Sequence, residues 1–501
     1  MIRIDRDSRE PVYRQVREKL QALIRDGVLK PGQKLPPSRR LAAELRVNRN
    51  TVVAAYEELE ADGLVRSHVG RGTFIAGGVQ ARSAAAAQSP AFNWHTRLAA
   101  AADHSDFFAE MLHAAPSGGV PLRYSFGAGF PPAGFFPIED LQKAFHAALR
   151  EEGAEVFNYG AVEGLESLRE QVARGIRSVG GAVSARDVLI TSGSQQAIAL
   201  AARALVEPGD IVAVEEPSYP GALSVLRELK ARILGIPLEK DGLDLNAFED
   251  ACRRHAPKLL YTVPDFQNPA GCVLGPDKRE PLVRLAERYG VPLIEDDSFR
   301  DLRYQGEDLP PLKAFDRSGV VVYINSVSKK TMPALRVGWA AIPPGLAARV
   351  AALKSADDLG TSSLCQVLLE KFLARGYYRA HIRRVRAAYR ERRDAMWDAI
   401  VRHFPSDARL EKPAGGMFLW VTLPEAVDVT AVAAESRGRG LVFCPGPVFY
   451  ASAHGRNQMR LSFTAHPPAE IDAGIALLGQ LLKRMSRGTG GPRSGVKVPL
   501  V

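Results

Sequence analysis

The sequence predicts an α/β protein with a mostly parallel sheet and flanking helices, preceded by a small α+β module of the winged helix-turn-helix kind. Three observations lead there. Short runs rich in apolar and β-branched residues, Val188–Thr191, Ile211–Val214, Leu259–Val263, Pro292–Glu295 and Val320–Ile324, alternate with amphipathic helical stretches between residues 121 and 480. Strands separated by helices pair in parallel, because a parallel return needs a helix-length crossover. Ahead of them, residues 11–76 hold three helical patterns and one alternating hairpin. The chain is also 501 residues long, and single cores stop growing at roughly 250–300.

The expected organisation is a DNA-binding module over 1–76, a linker over 77–120, a main domain over 121–485 with a smaller C-terminal α/β subdomain, and a disordered tail over 486–501. The linker is marked by Ala76-Gly-Gly, Ala84–Ala87 and Pro116-Ser-Gly-Gly, with one short helix near Trp94–Ala102; the tail is rich in Gly and Pro. The composition, 46% apolar and 24% charged, is that of a globular protein. The net charge of +10 is uneven: residues 1–80 carry 15 Lys and Arg against 10 Asp and Glu, which suits a nucleic-acid contact. No apolar run approaches the length of a membrane span, and the N-terminus has no signal-like apolar core. The four cysteines are scattered, so no metal site is expected, and the reading is cytoplasmic.

In the first module, Val12, Val16, Leu20 and Leu23 fall at helical spacing, predicting a helix over 11–26. Ser38 is expected to cap a second helix with Leu41, Ala42 and Leu45 inward. Asn48 is expected to cap a third, with Val52, Tyr56 and Leu59 inward and Gly63 at its end. Leu64–Ile75 then alternates around Gly70-Arg71-Gly72, a β-wing. In such a module the start of the third helix enters the major groove, which makes Arg49, Asn50 and Thr51 candidate contacts. Arg39 can reach phosphate or a base edge, and Arg71 the minor groove or backbone. The helix pattern alone also fits a three-helix protein-interaction domain.

In the main domain, Asn325-Ser-Val-Ser-Lys-Lys-Thr-Met-Pro-Ala-Leu-Arg336 sets Lys329 behind alternating serines and seven residues ahead of an arginine. A lysine for an aldehyde, with hydroxyls and a guanidinium for a phosphate, is a set that holds pyridoxal phosphate. Thr191-Ser-Gly-Ser-Gln-Gln, between a strand and a helix, offers free N–H groups with Ser194 and Gln195 for the same phosphate. Tyr219 in Glu216-Pro-Ser-Tyr-Pro can stack on a flat ring, and Asn268 can donate to a phenolate oxygen. Asp296, in Ile294-Glu-Asp-Asp, can keep a pyridinium nitrogen protonated, which makes the ring an electron sink. Ser326, Ser328 and Arg336 bind phosphate, and Arg460, on a strand in Met459-Arg-Leu-Ser-Phe, is open to a carboxylate. Taken singly, each segment also reads as turn chemistry or solvated charge.

Two resemblances join these segments. Leu35-Pro-Pro-Ser-Arg-Arg-Leu-Ala, Val47-Asn-Arg-Asn-Thr-Val, Tyr56-Glu-Glu-Leu-Glu and Gly70-Arg-Gly-Thr-Phe resemble the GntR family of winged-helix regulators, nearly gap-free over about 65 residues; that implies DNA contact by Arg39, Arg49, Thr51 and Arg71. Residues 121–480 resemble the fold-type-I aminotransferases, with Phe136-Pro137, Tyr159-Gly160, Gly164, Leu168-Arg169 and Gly415-Gly-Met-Phe as further landmarks. That resemblance implies an aldimine on Lys329, ring nitrogen held by Asp296, ring stacking by Tyr219, ring-oxygen contact by Asn268 and carboxylate binding by Arg460. It also implies a homodimer in which Tyr159 reaches the partner's site. Together the two look like the MocR subfamily of regulators. Related chains carry a tyrosine two or three residues after the aspartate, in contact with the ring oxygen; here Ser298 and Phe299 stand at those positions. The reading that follows is a DNA-binding transcriptional regulator that senses an amino acid or related amine at Lys329, acting on double-stranded promoter DNA. An active aminotransferase with an accessory DNA-binding module, with Lys329 and Asp296 catalytic, and a sensor of pyridoxal phosphate itself are the alternatives.

Overall fold

The computed structural model describes residues 11–25, 28–30, 32–45, 47–68, 72–76, 121–129 and 131–488. The expected linker over 77–120, its helix near Trp94–Ala102 and Arg71 lie outside the described residues. Contacts divide the chain into two units, Met1–Ala100 and Ala101–Val501.

In the first unit, helices α1 (Val12–Arg25), α2 (Ser38–Leu45) and α3 (Arg49–Ala61) are followed by the antiparallel strands β1 (Val65–His68) and β2 (Gly72–Ile75). The buried stripe of α1 is Val16, Leu20 and Ile24, a pure i, i+4 row; Ile24, rather than Leu23, completes it. Asn48 caps α3 by accepting the Asn50 N–H at 2.9 Å. Ser38 does not cap α2 but is its first residue. The carbonyl of Pro37 takes the first helical N–H groups, from Arg40 and Leu41, and a proline in that place gives up no donor of its own. The Tyr56 hydroxyl donates to Pro36 O at 2.8 Å, which ties α3 to the chain entering α2. Leu59 is wholly buried in the same core as Val52, Tyr56, Val65 and Ile75.

The second unit is built on two sheets. The larger contains β4 (Val188–Thr191), β5 (Ile211–Glu216), β6 (Arg232–Glu239), β7 (Gly242–Leu243), β8 (Leu260–Thr262), β9 (Leu293–Asp296), β10 (Val321–Ser326) and β11 (Gly338–Ala341). Its order is β4-β11-β10-β9-β8-β5-β6-β7. The central run β10-β9-β8-β5-β6 is parallel, and β11 is antiparallel to both β10 and β4. The central strands β9 and β10 are buried along their whole length, on both faces of the sheet.

The smaller sheet has the order β12-β13-β15-β14-β3, with β12 (Arg409–Leu410), β13 (Phe418–Thr422), β14 (Leu441–Pro445) and β15 (Gln458–Ser462). Its edge strand β3 (Tyr124–Phe126) comes from the start of the unit and pairs in parallel with β14. The last helix, Pro468–Gly488, buries Ile471, Ile475, Leu478 and Leu482 along one stripe. It runs on to Gly488, so residues 486–488, expected in the tail, are helical: no breaker stands in the chain before Gly488.

Leu59→Ala is expected to destabilise the N-terminal unit by about 2–5 kcal/mol, the range for emptying a fully buried leucine site. Hydrogen exchange read on peptides from α3 would show the loss of protection, with peptides from β9 and β10 unchanged.

Candidate functional site

The ends of β4, β9, β10 and β11 gather the phosphate-type residues, and pairing register does the gathering. Ser326 faces Gly338 across β10 and β11, and Gly338 faces Thr191 across β11 and β4. One row thus joins three distant stretches of sequence. A Cβ on Gly338 would stand 2.7 Å from Gly193 C and 2.8 Å from Ser194 N, so only glycine lets these backbones touch. Gly193 itself has φ +97°, and an added Cβ there would meet Arg336 Nη2 at 2.5 Å.

Gly193 precedes the helix Ser194–Leu205 and provides no side-chain cap. The first N–H groups of the helix are therefore presented to whatever occupies the turn. The hydroxyls of Ser326 and Ser328 are buried and have no hydrogen-bond partner. Arg336 Nη2 donates to Ser192 O at 2.8 Å, which sets the guanidinium over the same turn. Two orphaned hydroxyls, an uncapped helix start and an arginine fit a phosphate. Gln195 departs from its expected role: its side-chain amide donates to Gly221 O at 2.8 Å, so only its backbone belongs to the turn.

Lys329 is half-buried, and its Nζ donates to Gly129 O at 2.9 Å. Burial, then the charges of Arg460 and Arg336, push its amine down to about 8, with Asp296 acting in the other direction. About a tenth of such lysines are neutral at pH 7, a few hundredfold more than at the ordinary value. That is the form that attacks a carbonyl.

Asp296 ends β9 and is 5% exposed. The Tyr261 hydroxyl donates to its Oδ2 at 2.9 Å; the Ser298 hydroxyl and N–H donate to Oδ1 at 2.5 and 3.2 Å. Burial raises its pKa, and these donors oppose the rise. Ser298 has thus become a partner of the aspartate. Phe299 is buried and packs edge-on against Phe418, ring centroids 5.8 Å apart. Tyr219 caps the helix Pro220–Glu228, and its ring lies where a Cβ on Gly221 would be 2.5 Å away. Burial raises its hydroxyl pKa, with Asp296 adding to the rise.

Arg460 lies on β15, 3% exposed. Its Nη1 donates to Asn268 Oδ1 at 2.7 Å, and its Nη2 donates to Gly127 O at 2.7 Å and Cys444 Sγ at 3.1 Å. Its plane is flanked by Phe418 at 4.0 Å and Phe449 at 4.9 Å from the ring centroids. Because Asn268 accepts through Oδ1, its amide N–H groups point elsewhere, the orientation a ring oxygen requires. Arg460 Nε remains buried without a partner.

The structure therefore brings together Ser194, Ser326, Ser328 and Arg336 around one turn, and ties Asp296, Asn268, Lys329, Tyr219 and Arg460 to one buried region. Tyr159 stands apart: its residue is 86% exposed, with Phe157 and Leu359 nearby at 69% and 61%. Tyr261, Cys444, Phe418 and Phe449 escaped sequence reasoning. Tyr261 reads as an ordinary strand residue, and only the pairing of β8 with β9 sets it beside Asp296.

In the first unit, Arg39, Arg49 and Asn50 are exposed and Thr51 is half-buried at the start of α3. Neither Arg39 nor Arg49 forms an ion pair with another described residue, whereas the neighbouring Arg40 is paired with Glu44 at 3.0 Å.

Comparison with known proteins gives two family matches. Residues 127–478 match "Aminotransferase class I and II", and residues 12–75 match "Bacterial regulatory proteins, gntR family". The HTH-type transcriptional regulator YisV of Bacillus subtilis is 30% identical over 489 residues, covering 96% of this chain and 98% of that one. The probable rhizopine catabolism regulatory protein MocR of Rhizobium meliloti is 32% identical, covering 89% and 88%. Among solved structures, the α-aminoadipate aminotransferase LysN of Thermus thermophilus, complexed with N-(5'-phosphopyridoxyl)-L-leucine, superposes with a TM-score of 0.73 at 32% identity, covering 79% of this chain and 99% of that one.

Two outcomes are expected. The rate at which cofactor-free protein captures pyridoxal phosphate, followed by absorbance, rises with pH through about 8 and levels off above it, because only the neutral amine reacts. Gly338→Ala abolishes retention of the cofactor on gel filtration, since its Cβ would displace the turn at Gly193.

Proposed function

The chain belongs to the class I and II aminotransferase family, with a gntR-family regulatory module ahead of that domain, and from this premise we propose that it is a transcriptional regulator whose DNA binding answers to an amine or amino acid engaging the cofactor at Lys329. The cofactor is pyridoxal phosphate. When bound, it supplies an aldehyde for amines and a ring that withdraws electrons.

The observation that carries the reading is the coexistence of two competent faces in one chain. One is α3 with Arg49, exposed at its start and without an ion pair among the described residues; the other is the cluster around Lys329. Lys329 holds the aldehyde carbon, and the Gly193 turn with Ser326, Ser328 and Arg336 grips the phosphate. Asp296, kept in place by Tyr261 and Ser298, faces the ring nitrogen. Tyr219 covers the ring and Asn268 donates to its oxygen. Arg460 would hold the carboxylate of an incoming amino acid, with the amine of that molecule placed toward Lys329. Such a ligand shifts DNA binding only by its differential affinity for two arrangements of the protein. Full-length similarity to regulators such as YisV and MocR supports this reading over one of catalysis alone.

Tyr159, exposed in a single chain, is read as reaching the site of a second copy. A dimer carries two winged helices and so addresses two half-sites on promoter DNA. One observation keeps a second reading, turnover as an aminotransferase, in play: Lys329, Asp296, Asn268 and Arg460 are all present and mutually connected.

Lys329→Ala is expected to abolish the near-visible absorbance of the lysine-bound cofactor and the response of DNA binding to amines, while DNA binding itself persists. Arg49→Ala is expected to weaken binding to the adjacent promoter by about 1–3 kcal/mol with the absorbance intact. Footprinting and absorbance on the same samples check both; binding indifferent to Arg49 and to every amine tried sinks the regulator reading. Repeated production of keto acid from an amino-acid pair, with promoter binding unmoved by that pair, would favour the enzyme.

A further inference from the structure

We infer that Lys330, the second of two consecutive lysines, is a positioning residue for Lys329: the ion pair of its buried amine with the half-buried Asp301 clamps the turn that carries the cofactor lysine to the helix Tyr377–His403. The inference rests on the reading of Lys329 as the lysine that holds the cofactor.

The two side chains leave the turn toward different surroundings. Lys329 Nζ donates to Gly129 O, at the start of the unit. Lys330 Nζ donates to Asp301 Oδ2 at 2.8 Å and Asn325 Oδ1 at 2.7 Å, and the residue is 1% exposed. The backbone of the turn is held as well: Lys330 N donates to Val327 O at 3.1 Å, and Thr331 donates to the same carbonyl through both N and Oγ1 at 2.9 and 3.0 Å.

The long helix grips this arrangement at three points. The Tyr378 hydroxyl donates to Asp301 Oδ2 at 2.6 Å, His381 Nε2–H donates to Lys330 O at 3.0 Å, and Arg386 Nε donates to Asp301 O at 2.5 Å. From the other side, Asn325 Nδ2 donates to the Tyr323 hydroxyl at 2.9 Å, and that hydroxyl donates to Asp297 at 2.8 Å, the residue after the ring-nitrogen aspartate. Lys330 therefore joins the lysine turn, the aspartate segment and the helix. Against burial, which pushes it up, Lys330 and Tyr378 hold the Asp301 carboxyl down at about 2, so the carboxylate stays charged across the working pH range.

Geometry is the better account of this pair than stability. Removing two charges from water is expensive, and apolar residues of the same volume often do as well or better for folding. What methylenes cannot do is fix a position by directed bonds. An amine that must meet a carbonyl carbon has to be held to about half an ångström. Lys329 is itself a long, flexible side chain, so that precision has to come from its backbone.

The test compares two variants with the parent by pyridoxal phosphate titration, absorbance against pH and thermal unfolding of the cofactor-free form. Lys330→Met/Asp301→Asn removes both charges together, so no unpaired charge is left inside; Tyr378→Phe removes one hydroxyl only. The expected result is an unfolding temperature near the parent's in both, with cofactor affinity on the order of tenfold weaker in the double variant and weakened less, in the same direction, in Tyr378→Phe. The pH at which the bound cofactor changes colour moves in the double variant. Parent-like affinity and colour change in both variants would overturn the inference. The parent and Lys329→Ala serve as references: if the parent's near-visible band survives in Lys329→Ala, the reading of Lys329 fails and this inference with it. A normal reference pair with indifferent variants sinks the role of Lys330 alone.

Discussion

One row across three strands carries the rest of the cofactor site. Ser326, Gly338 and Thr191 are paired neighbours on β10, β11 and β4, and the middle one has no room for a methyl group. Because β11 runs antiparallel to both flanking strands, the chain leaving β10 and the chain entering β11 emerge at the same edge. That edge is where Ser328, Lys329 and Arg336 appear, next to the turn that opens the helix at Ser194. Shift β11 by one residue and Trp339 would take the place of Gly338, its side chain driven into the turn. The gathering of these residues at one edge is thus a consequence of register rather than of local loop design.

The ring-side residues obey a different economy. Asp296, Asn268 and Arg460 are each nearly sealed from water, and each has its geometry set by its neighbours. Tyr261 and Ser298 aim the carboxylate. Arg460 turns the Asn268 amide by occupying its oxygen. Phe418 and Phe449 sandwich the guanidinium, and Phe299 buttresses Phe418. The phenylalanine in place of the usual tyrosine therefore works through packing, and a serine one position earlier adds a hydroxyl to the aspartate. In a low-dielectric setting such fixed partners count for more than they would in water.

Sequence alone carried the architecture a long way, for identifiable reasons. Alternating strand and helix patterns announced the parallel core, and Asn48 announced the start of α3, because these signals are local. The motif Ser-Val-Ser-Lys with Arg336 pointed to a polar cluster for the same reason, and its hydroxyls and guanidinium do lie at the edge where β10 ends and β11 begins. The cap of α2 was misread, since a serine signals a cap only when the residue before it leaves that job open, and Pro37 does not. Gln195 was read as a phosphate ligand from its place at a helix start, but the carbonyl of Gly221, remote in sequence, draws off its amide. Tyr261, Cys444 and Lys330 were invisible as site residues. Their meaning lies in which strand or helix stands next to them, and residue spacing does not encode that.

The adjacent pair Lys329 and Lys330 has a consequence for which changes this segment can survive. The two amines are identical chemically, one residue apart, and sorted only by the phase of the chain leaving β10. Deleting a single residue between Ser326 and Lys329 would bring the Lys330 amine to Gly129 and leave the place beside Asp301 to Thr331. Inserting one would instead move the Lys329 amine to the place beside Asp301. A substitution in this turn alters one side chain at a time, whereas a change in its length displaces both amines at once.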